Sequence, residues 1–334
     1  MNHLIDWQEE SDETWNRCID VARRFAGFKG HLPGGREIGR GRSLGLLFFN
    51  PSLRTRTSME VAAAHLGAHS SVIVPGQGTW GFAWEDGVVM DGAEAEHIQE
   101  AAGVLSQYFD AIGVRLFASL TDQAADREER LLRRFVAAAQ VPVINLESAY
   151  GHPCQALADA ATITERFDGR PRGKRFVLTW AYHPKALPTA VPISALLAAA
   201  RLGMDVTVAR PAGFGLDPMV MAEAERLTRV RVLEDQDEAF QGADIVYAKA
   251  WAGPQVYTDP DAEAAARSQL KDWRVTEARM QRTRNGAFMH CLPVRRGVVV
   301  DDAVLDGPQA IHLRQAAYRL YAQQAILSEI WPVG

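Results

Sequence analysis

Short runs rich in Val, Ile, Leu and Phe alternate along the chain with Ala-rich stretches whose apolar positions recur at helical spacing. The runs at 43–49, 71–74, 111–115 and 141–145 predict strands, and the stretches at 57–66, 94–108 and 126–139 predict the helices between them. A Gly-His-Pro turn at 151–153 precedes a long helical pattern at 154–167. Beyond it, 175–180, 205–209, 230–233, 245–249 and 287–290 predict strands, 188–202 and 219–227 predict helices, and a last periodic stretch covers 315–330. This alternation predicts the α/β class, with two doubly wound parallel-sheet domains joined by helices. A boundary at the turn gives domains over 1–150 and 151–313.

Length and charge narrow the class. A chain of 334 residues has room for two cores, and 47% hydrophobic with 23% charged residues is the balance of a soluble globular protein, so disorder and a membrane-embedded fold are excluded. Lys plus Arg number 36 against 41 Asp plus Glu, a net charge of −5, which disfavours nucleic acid as a partner and makes any anion site local. Cys18, Cys154 and Cys291 show no paired spacing, so no metal site and no disulfide framework are expected and a reducing cytoplasm is the expected home. Residues 1–10 are polar and acidic, and no run approaches the ~20 apolar residues of a membrane span, so no membrane partner is expected. No cofactor is expected either. No Gly-x-Gly-x-x-Gly follows a predicted strand, and Gly34-Gly35 runs into Arg36 rather than opening a helix, against a dinucleotide-dependent dehydrogenase.

The most informative stretch is Phe-Phe-Asn-Pro-Ser-Leu-Arg-Thr-Arg-Thr-Ser at 48–58, an apolar strand that runs through Asn-Pro into a serine cap and a helix carrying Arg54 and Arg56. Helix-start amides, the hydroxyls of Ser52 and Thr55, and two permanent guanidinium charges can converge there on a phosphate. Taken alone, the segment also reads as a capped surface helix with solvated arginines. It has company. Ser-Leu-Arg-Thr-Arg at 52–56 resembles the carbamoyl-phosphate motif Ser-x-Arg-Thr-Arg of the aspartate and ornithine carbamoyltransferases. His-Pro-Cys-Gln-Ala-Leu-Ala-Asp at 152–159 is similar to that family's His-Pro-x-Gln-x-Leu-Ala-Asp, and His-Cys-Leu-Pro at 290–293 resembles the motif of its ornithine branch. The three motifs stand in the family's order and span nearly the whole chain.

The resemblance implies that domain 1–150 binds carbamoyl phosphate, that 151–313 binds the acceptor, and that a C-terminal helix over 314–334 packs back on the first domain. It implies that Ser52, Leu53, Arg54 and Thr55 hold the phosphate, that Arg115 and Arg319 add positive charge, and that His152 and Gln155 sit beside the carbamoyl group. In the implied reaction a neutral amine attacks the carbonyl carbon, an oxyanion forms and phosphate leaves with no covalent enzyme intermediate, so catalysis rests on positioning and on cationic or hydrogen-bonding groups. The catalytic candidates are His152, Arg115, Thr55 and Cys291. His152 would donate to the carbonyl oxygen, while Cys291 and Leu292 would act through their backbone groups and not through the thiol. Without the resemblance, His152 is a turn residue before proline and Cys291 a buried thiol ending a strand.

The acceptor follows from departures. Ornithine enzymes share a Ser-Met-Gly segment that is missing here, and Tyr-Ala-Lys-Ala-Trp at 247–251 instead places Lys249 where the acylornithine branch has a lysine. Thr-Trp-Ala-Tyr-His-Pro-Lys at 179–185, followed by Leu187 and Pro188, also resembles that branch, which implies a knotted loop in the second domain. The resemblance assigns Glu147, His183, Lys249 and Arg295 to the acylornithine, although Lys249 and Arg295 on their own read as strand-end surface charges. Ala95 stands where the acetyl type has Glu and the succinyl type Pro, removing a charge that would repel a succinyl carboxylate by on the order of 1 kcal/mol. Pro188 replaces an Asn and Val299 a lysine of the acetyl type, and Gly151 is an extra residue that the succinyl type shares. N-succinyl-L-ornithine is therefore the expected acceptor in an arginine-biosynthetic enzyme; N-acetyl-L-ornithine, another amine and a non-catalytic carbamoyl-phosphate sensor are the alternatives. Trp80 lies in the Gly-rich loop 76–81. A similar Trp loop of the acylornithine branch reaches the neighbouring subunit's site, which implies a homotrimer and a carbamoyl-phosphate contact by Trp80.

Overall fold

The structure is a computed structural model that describes residues 1–332. The chain divides into two compact units: unit 1 takes Met1–Ser119, Ala124–Leu157 and the chain from Arg319 on, and unit 2 takes Leu120–Gln123 and Ala158–Tyr318. No helix among the described residues is long and apolar enough to cross a membrane.

Unit 1 runs α1 (Asp12–Gly27), β1 (Ser43–Phe48), α2 (Arg54–His65), β2 (His69–Ile73), β3 (Phe82–Ala83), β4 (Glu96–His97), α3 (Ile98–Tyr108), β5 (Ala111–Arg115), α4 (Gln123–Arg127), α5 (Arg130–Ala138), β6 (Val143–Glu147) and the start of α6 (Pro153–Arg166). Four strands form a parallel sheet in the order β2-β1-β5-β6. One face buries Leu47, Ile112, Val114 and Val143 against Ile98, Ala102, Leu132 and Phe135 of α3 and α5, as a parallel sheet requires. The chain winds first to one side of β1 and then to the other, so the strand order reverses between β1 and β5. Several elements differ from the sequence expectation. The helix expected over 126–139 is two helices, because Glu129 adopts φ +53° and turns its carboxylate inward. The helix expected at 94–108 starts only at Ile98, since 96–97 pairs as β4 with β3. α1 was not expected at all; its stripe Trp15, Cys18, Ile19, Ala22, Phe25 and Ala26 is diluted by charged neighbours.

Unit 2 continues α6 and runs β7 (Arg175–Trp180), α7 (Ala190–Arg201), β8 (Asp205–Ala209), α8 (Pro218–Leu227), β9 (Val230–Leu233), α9 (Gln236–Ala239), β10 (Ile245–Lys249), α10 (Pro260–Ser268), α11 (Glu277–Met280), β11 (Ala287–Met289), α12 (Asp302–Leu305) and the start of α13 (His312–Ile330). Its five strands are parallel in the order β11-β10-β7-β8-β9, so here the reversal falls between β7 and β10. α7 begins at Ala190 rather than at 188, leaving Pro188 in the loop after β7. Of the helix expected over 314–334, residues 333–334 lie outside the described residues, and α13 from Arg319 on counts with unit 1. The division also falls inside α6, beyond the Gly151 turn.

Candidate active site

In open parallel α/β sheets, ligands bind beyond the carboxyl ends of the strands where the strand order reverses. In unit 1 that point is flanked by the 50–55 segment after β1 and by Arg115 at the end of β5. Ser52 Oγ accepts from the Thr55 amide at 3.1 Å, so the serine caps α2 from just outside Leu53, the flanking residue. Thr55 is buried and Leu53 is 76% exposed. Arg319 reaches back from α13, donating through Nη2 to Thr55 Oγ1 at 3.0 Å and through Nη1 to Gln155 Oε1 at 2.7 Å. Arg115 donates to Glu147 Oε2 at 2.5 Å and stacks over Phe117 at 4.4 Å. The same Glu147 oxygen lies 3.5 Å from His152 Nε2. Two arginines, a histidine, a glutamine and a threonine are thus fixed around the start of α2, all of them buried.

A second layer holds the turn that carries Glu147 and His152. The Glu129 carboxylate accepts from Ser148 Oγ at 2.5 Å and from the amides of Tyr150 at 2.9 Å and Ala149 at 3.2 Å. Burial pushes its carboxyl up to about 7 against those hydrogen bonds, with the nearby Asp6 adding repulsion. Burial likewise raises Asp6 to about 6. A Cβ on Gly151 would come within 2.7 Å of Asp6 Oδ2, so a larger residue there would push the Asp6 carboxylate aside.

In unit 2 the reversal point is flanked by the loop after β7 and by Lys249 at the end of β10. Arg295 Nε donates to His183 Nε2 at 3.0 Å, which puts the imidazole proton on Nδ1, facing the Lys185 carbonyl at 3.0 Å. His183 is therefore neutral, and burial lowers its pKa, with the Arg295 and Lys249 charges acting in the same direction. A buried Glu263–Arg267 pair in α10 pins this loop, Arg267 Nη1 donating to the His183 carbonyl at 3.0 Å. Past β11, Leu292 adopts φ +58° and its amide donates to His290 Nδ1 at 2.8 Å. Cys291 is half-buried beside it. Among the described residues no group of three or more His, Cys, Asp or Glu is placed to hold a metal ion.

Residues 2–165 match the aspartate/ornithine carbamoyltransferase, carbamoyl-P binding domain, and residues 188–330 match the aspartate/ornithine carbamoyltransferase, Asp/Orn binding domain. The chain belongs to the aspartate/ornithine carbamoyltransferase family. It is 46% identical over 339 residues to an N-acetylornithine carbamoyltransferase of Xanthomonas campestris pv. campestris, covering 99% of this chain and 98% of that protein. With an N-succinylornithine carbamoyltransferase of Bacteroides thetaiotaomicron it shares 40% identity over 295 residues, 88% of this chain and 89% of the relative. Acetylornithine transcarbamylase complexed with acetylcitrulline has the same fold at a TM-score of 0.95 and 41% identity, with 100% of both chains covered. A mutant of N-acetyl-L-ornithine transcarbamylase with glutamate changed to alanine, complexed with carbamyl phosphate and N-succinyl-L-norvaline, matches at 0.94 and 42% identity over 99% of this chain and 100% of that one.

In this carbamoyltransferase the sequence-derived residues fall into two groups. Ser52, Leu53, Arg54, Thr55, Arg115, Glu147, His152, Gln155 and Arg319 belong to unit 1, whereas His183, Lys249, Cys291, Leu292 and Arg295 belong to unit 2. Glu147, grouped from sequence with the acceptor residues, hydrogen-bonds to Arg115 of the first set. Trp80 and Ala95 lie on the exposed segment between β2 and α3, and Trp80 Nε1 donates to Glu96 Oε2 at 2.6 Å. Val299, 3% exposed, is a core residue of unit 2. Sequence reasoning missed Glu129 and the Glu263–Arg267 pair. For Glu129 the only local hint is an acidic side chain interrupting an apolar helical stripe.

Proposed function

We propose that this carbamoyltransferase moves the carbamoyl group of carbamoyl phosphate onto the side-chain amine of an N-acyl-L-ornithine, preferring N-succinyl-L-ornithine, to give N-acylcitrulline and phosphate in cytoplasmic arginine biosynthesis. The buried cradle of Thr55, Arg115, His152, Gln155 and Arg319, held in two hydrogen-bonded sets, Arg319 with Thr55 and Gln155 and Arg115 and His152 about Glu147, carries this proposal. Ser52, Leu53, Arg54 and Thr55 bind the phosphate through helix-start amides, hydroxyls and the Arg54 guanidinium. Arg115, Thr55 and His152 face the carbonyl oxygen and stabilise the negative charge that develops on it. The neutral acceptor amine forms the new C–N bond, the bond between the carbonyl carbon and the phosphate oxygen breaks, and phosphate departs with the bonding electrons and takes up the proton that the amine loses. Cys291 and Leu292 orient the amine and the carbamoyl NH2 through main-chain groups.

Lys249 and Arg295 take the acceptor carboxylates, His183 orients Arg295, and Glu147 completes the acceptor set from beside Arg115. The succinyl preference rests on Ala95 and Pro188. If Ala95 occupies the position of the mutated glutamate in the relative complexed with N-succinyl-L-norvaline, this chain carries that mutant's alanine natively. Glu96, one of the two glutamates that flank Ala95, is engaged by the Trp80 indole. A homotrimer in which Trp80 reaches the carbamoyl phosphate of a neighbouring subunit completes the proposal. Its support within one chain is the 54% exposure of Trp80 on a Gly-rich loop. The second reading, N-acetyl-L-ornithine, is favoured by the 46% identity to an acetylornithine enzyme against 40% to a succinylornithine one.

Initial rates with N-succinyl-, N-acetyl- and unmodified L-ornithine at equal concentration test the proposal. Faster citrulline formation from the succinyl compound is expected. Preference for the acetyl compound moves the assignment to the second reading, and inactivity with all three leaves a carbamoyl-phosphate sensor.

A further inference from the structure

Behind the His290–Pro293 segment lies a buried polar chain that the reaction has not yet used. Asp159 on α6 is 1% exposed, Gln315 on α13 is wholly buried and His290 is 3% exposed, all within unit 2. Gln315 Nε2 donates to Asp159 Oδ1 at 2.6 Å, and Gln315 Oε1 accepts from the His290 amide at 2.9 Å. His290 Nδ1 then accepts from the Leu292 amide at 2.8 Å, closing the turn in which Leu292 adopts its left-handed φ of +58°. A leucine in that region costs roughly 1–3 kcal/mol and persists only where its surroundings over-determine it. The surroundings here are a relay of three hydrogen bonds running from a buried carboxylate to the strained residue. An amide is the neutral group whose one end gives to a carboxylate while the other takes from a backbone N–H.

We propose that Gln315 is a positioning residue for carbamoyl transfer: by bridging Asp159 to the His290 backbone it sets the Cys291–Leu292 main-chain groups at the angle that the acceptor amine requires. This rests on the N-acylornithine reaction proposed above. The side chains proposed to hold the phosphate, Thr55, Arg115, His152, Gln155 and Arg319, all belong to unit 1, and the relay bears on carbamoyl phosphate only through the proposed orientation of its NH2 group by Cys291 and Leu292. Loss of the relay therefore separates turnover from carbamoyl-phosphate binding.

The test measures kcat with the best N-acylornithine and, separately, the Kd of carbamoyl phosphate by calorimetry, for wild type, Gln315→Met and the double swap Asp159→Asn with Gln315→Glu. Met keeps the volume and removes both bonds. The swap reverses the polarity of the first bond, with an amide now giving to a carboxylate that still accepts from His290. Gln315→Met should lower kcat roughly 10–100-fold, the scale of a misplaced reacting group, with the carbamoyl-phosphate Kd held within about threefold. The swap should return kcat to within about threefold of wild type. Should Gln315→Met fail to fold, Gln315→Asn, too short to reach both partners, replaces it with the same expected loss. A folded Gln315 variant with wild-type kcat, or a folded swap as slow as the single variant, overturns the inference alone. A wild type inactive on every acceptor overturns the parent proposal, and this inference with it.

Discussion

The two strand-order reversals are built to different standards of rigidity. In unit 1 the cradle side chains are buried and already hydrogen-bonded to one another, with Arg319 forked onto Thr55 and Gln155 and Arg115 locked to Glu147. In unit 2 only the supports are buried: the Glu263–Arg267 pair and the Asp159–Gln315–His290 relay. The groups proposed to meet the acceptor are more open, with Arg295 exposed and Lys249 partly so. The difference fits the two ligands proposed. A phosphate is small and invariant, so a preformed set of donors binds it without paying side-chain entropy at each turnover. Acylated amino acids differ among related enzymes, and a set of long side chains on a fixed frame can be retuned without rebuilding the core.

The largest effect should come from breaking the cradle. Arg115→Met leaves the Glu147 carboxylate buried beside His152 without its guanidinium, and losing one partner of such a pair costs about 3–5 kcal/mol of stability. The kcat/KM for carbamoyl phosphate should fall at least 10²–10³-fold. Arg115→Lys should restore stability better than activity, because an ammonium lacks the planar fork. Denaturant unfolding beside steady-state kinetics checks both, and a near-normal kcat/KM in Arg115→Met would remove this arginine from the mechanism. Lys249→Met should act on the other half alone. Losing one charge-assisted contact, worth about 1.5–3 kcal/mol, should raise the acceptor KM roughly 10–100-fold, and an equal change in the carbamoyl-phosphate Kd would break the contrast between the halves.

What could be read from the sequence divides along the same line. Strands β5, β7, β8 and β10 fall on their expected residues, because a buried strand of a parallel sheet is a short apolar run bounded by turn residues, and the edge strand β9 does so too although its residues are half-buried or exposed. The segment proposed to hold the phosphate stood out because its donors are contiguous and local to one strand–turn–helix. Strand order was not legible, and with it the reason why Arg115 and the 50–55 segment meet at one reversal point and Lys249 and His183 at another. Glu129 and the bridging contacts of Gln315 were not legible for a further reason: each acts on a backbone segment distant in sequence, 148–150 for Glu129 and His290 for Gln315. Nothing in a local pattern distinguishes such an acid or amide from a surface one. The break of the 126–139 helix has the same origin, since tertiary hydrogen bonds to the Glu129 carboxylate outweigh a good helical stripe.

That carboxylate gives unit 1 a pH signature opposite in sign to the one that the lowered His183 pKa gives unit 2. The Glu129 carboxyl titrates near 7 in the fold, above its ordinary value of 4.5, chiefly because it is buried. A raised folded-state value means that the folded protein holds this proton more tightly than the unfolded chain does. Its contribution to stability is thus complete below the unfolded value and is lost as pH rises through the folded one. Asp6, raised to about 6, adds in the same sense. Tm measured from about pH 4 to 8 should carry a declining component across this window, and Glu129→Gln should flatten it. An unchanged slope in the variant would assign the dependence to Asp6 alone.

The smallest expected effect concerns a single side chain on the exposed segment between β2 and α3, where neither half's rigidity applies. Ala95 is exposed, and of the two acids beside it, Glu96 accepts a hydrogen bond from the Trp80 indole. Ala95→Glu adds one negative charge where the proposed acyl pocket meets the end of the acyl group. At a separation of several ångströms under water-like screening, repulsion of a succinyl carboxylate amounts to on the order of 1 kcal/mol. The succinyl-to-acetyl ratio of kcat/KM should therefore fall roughly fivefold to tenfold, through the succinyl KM, with carbamoyl-phosphate binding unchanged. Added salt should shrink the difference, because an exposed charge pair is screened within about 8 Å at physiological ionic strength. A ratio that does not move would place Ala95 outside the acyl pocket and leave Pro188 as the residue that sets the acyl preference.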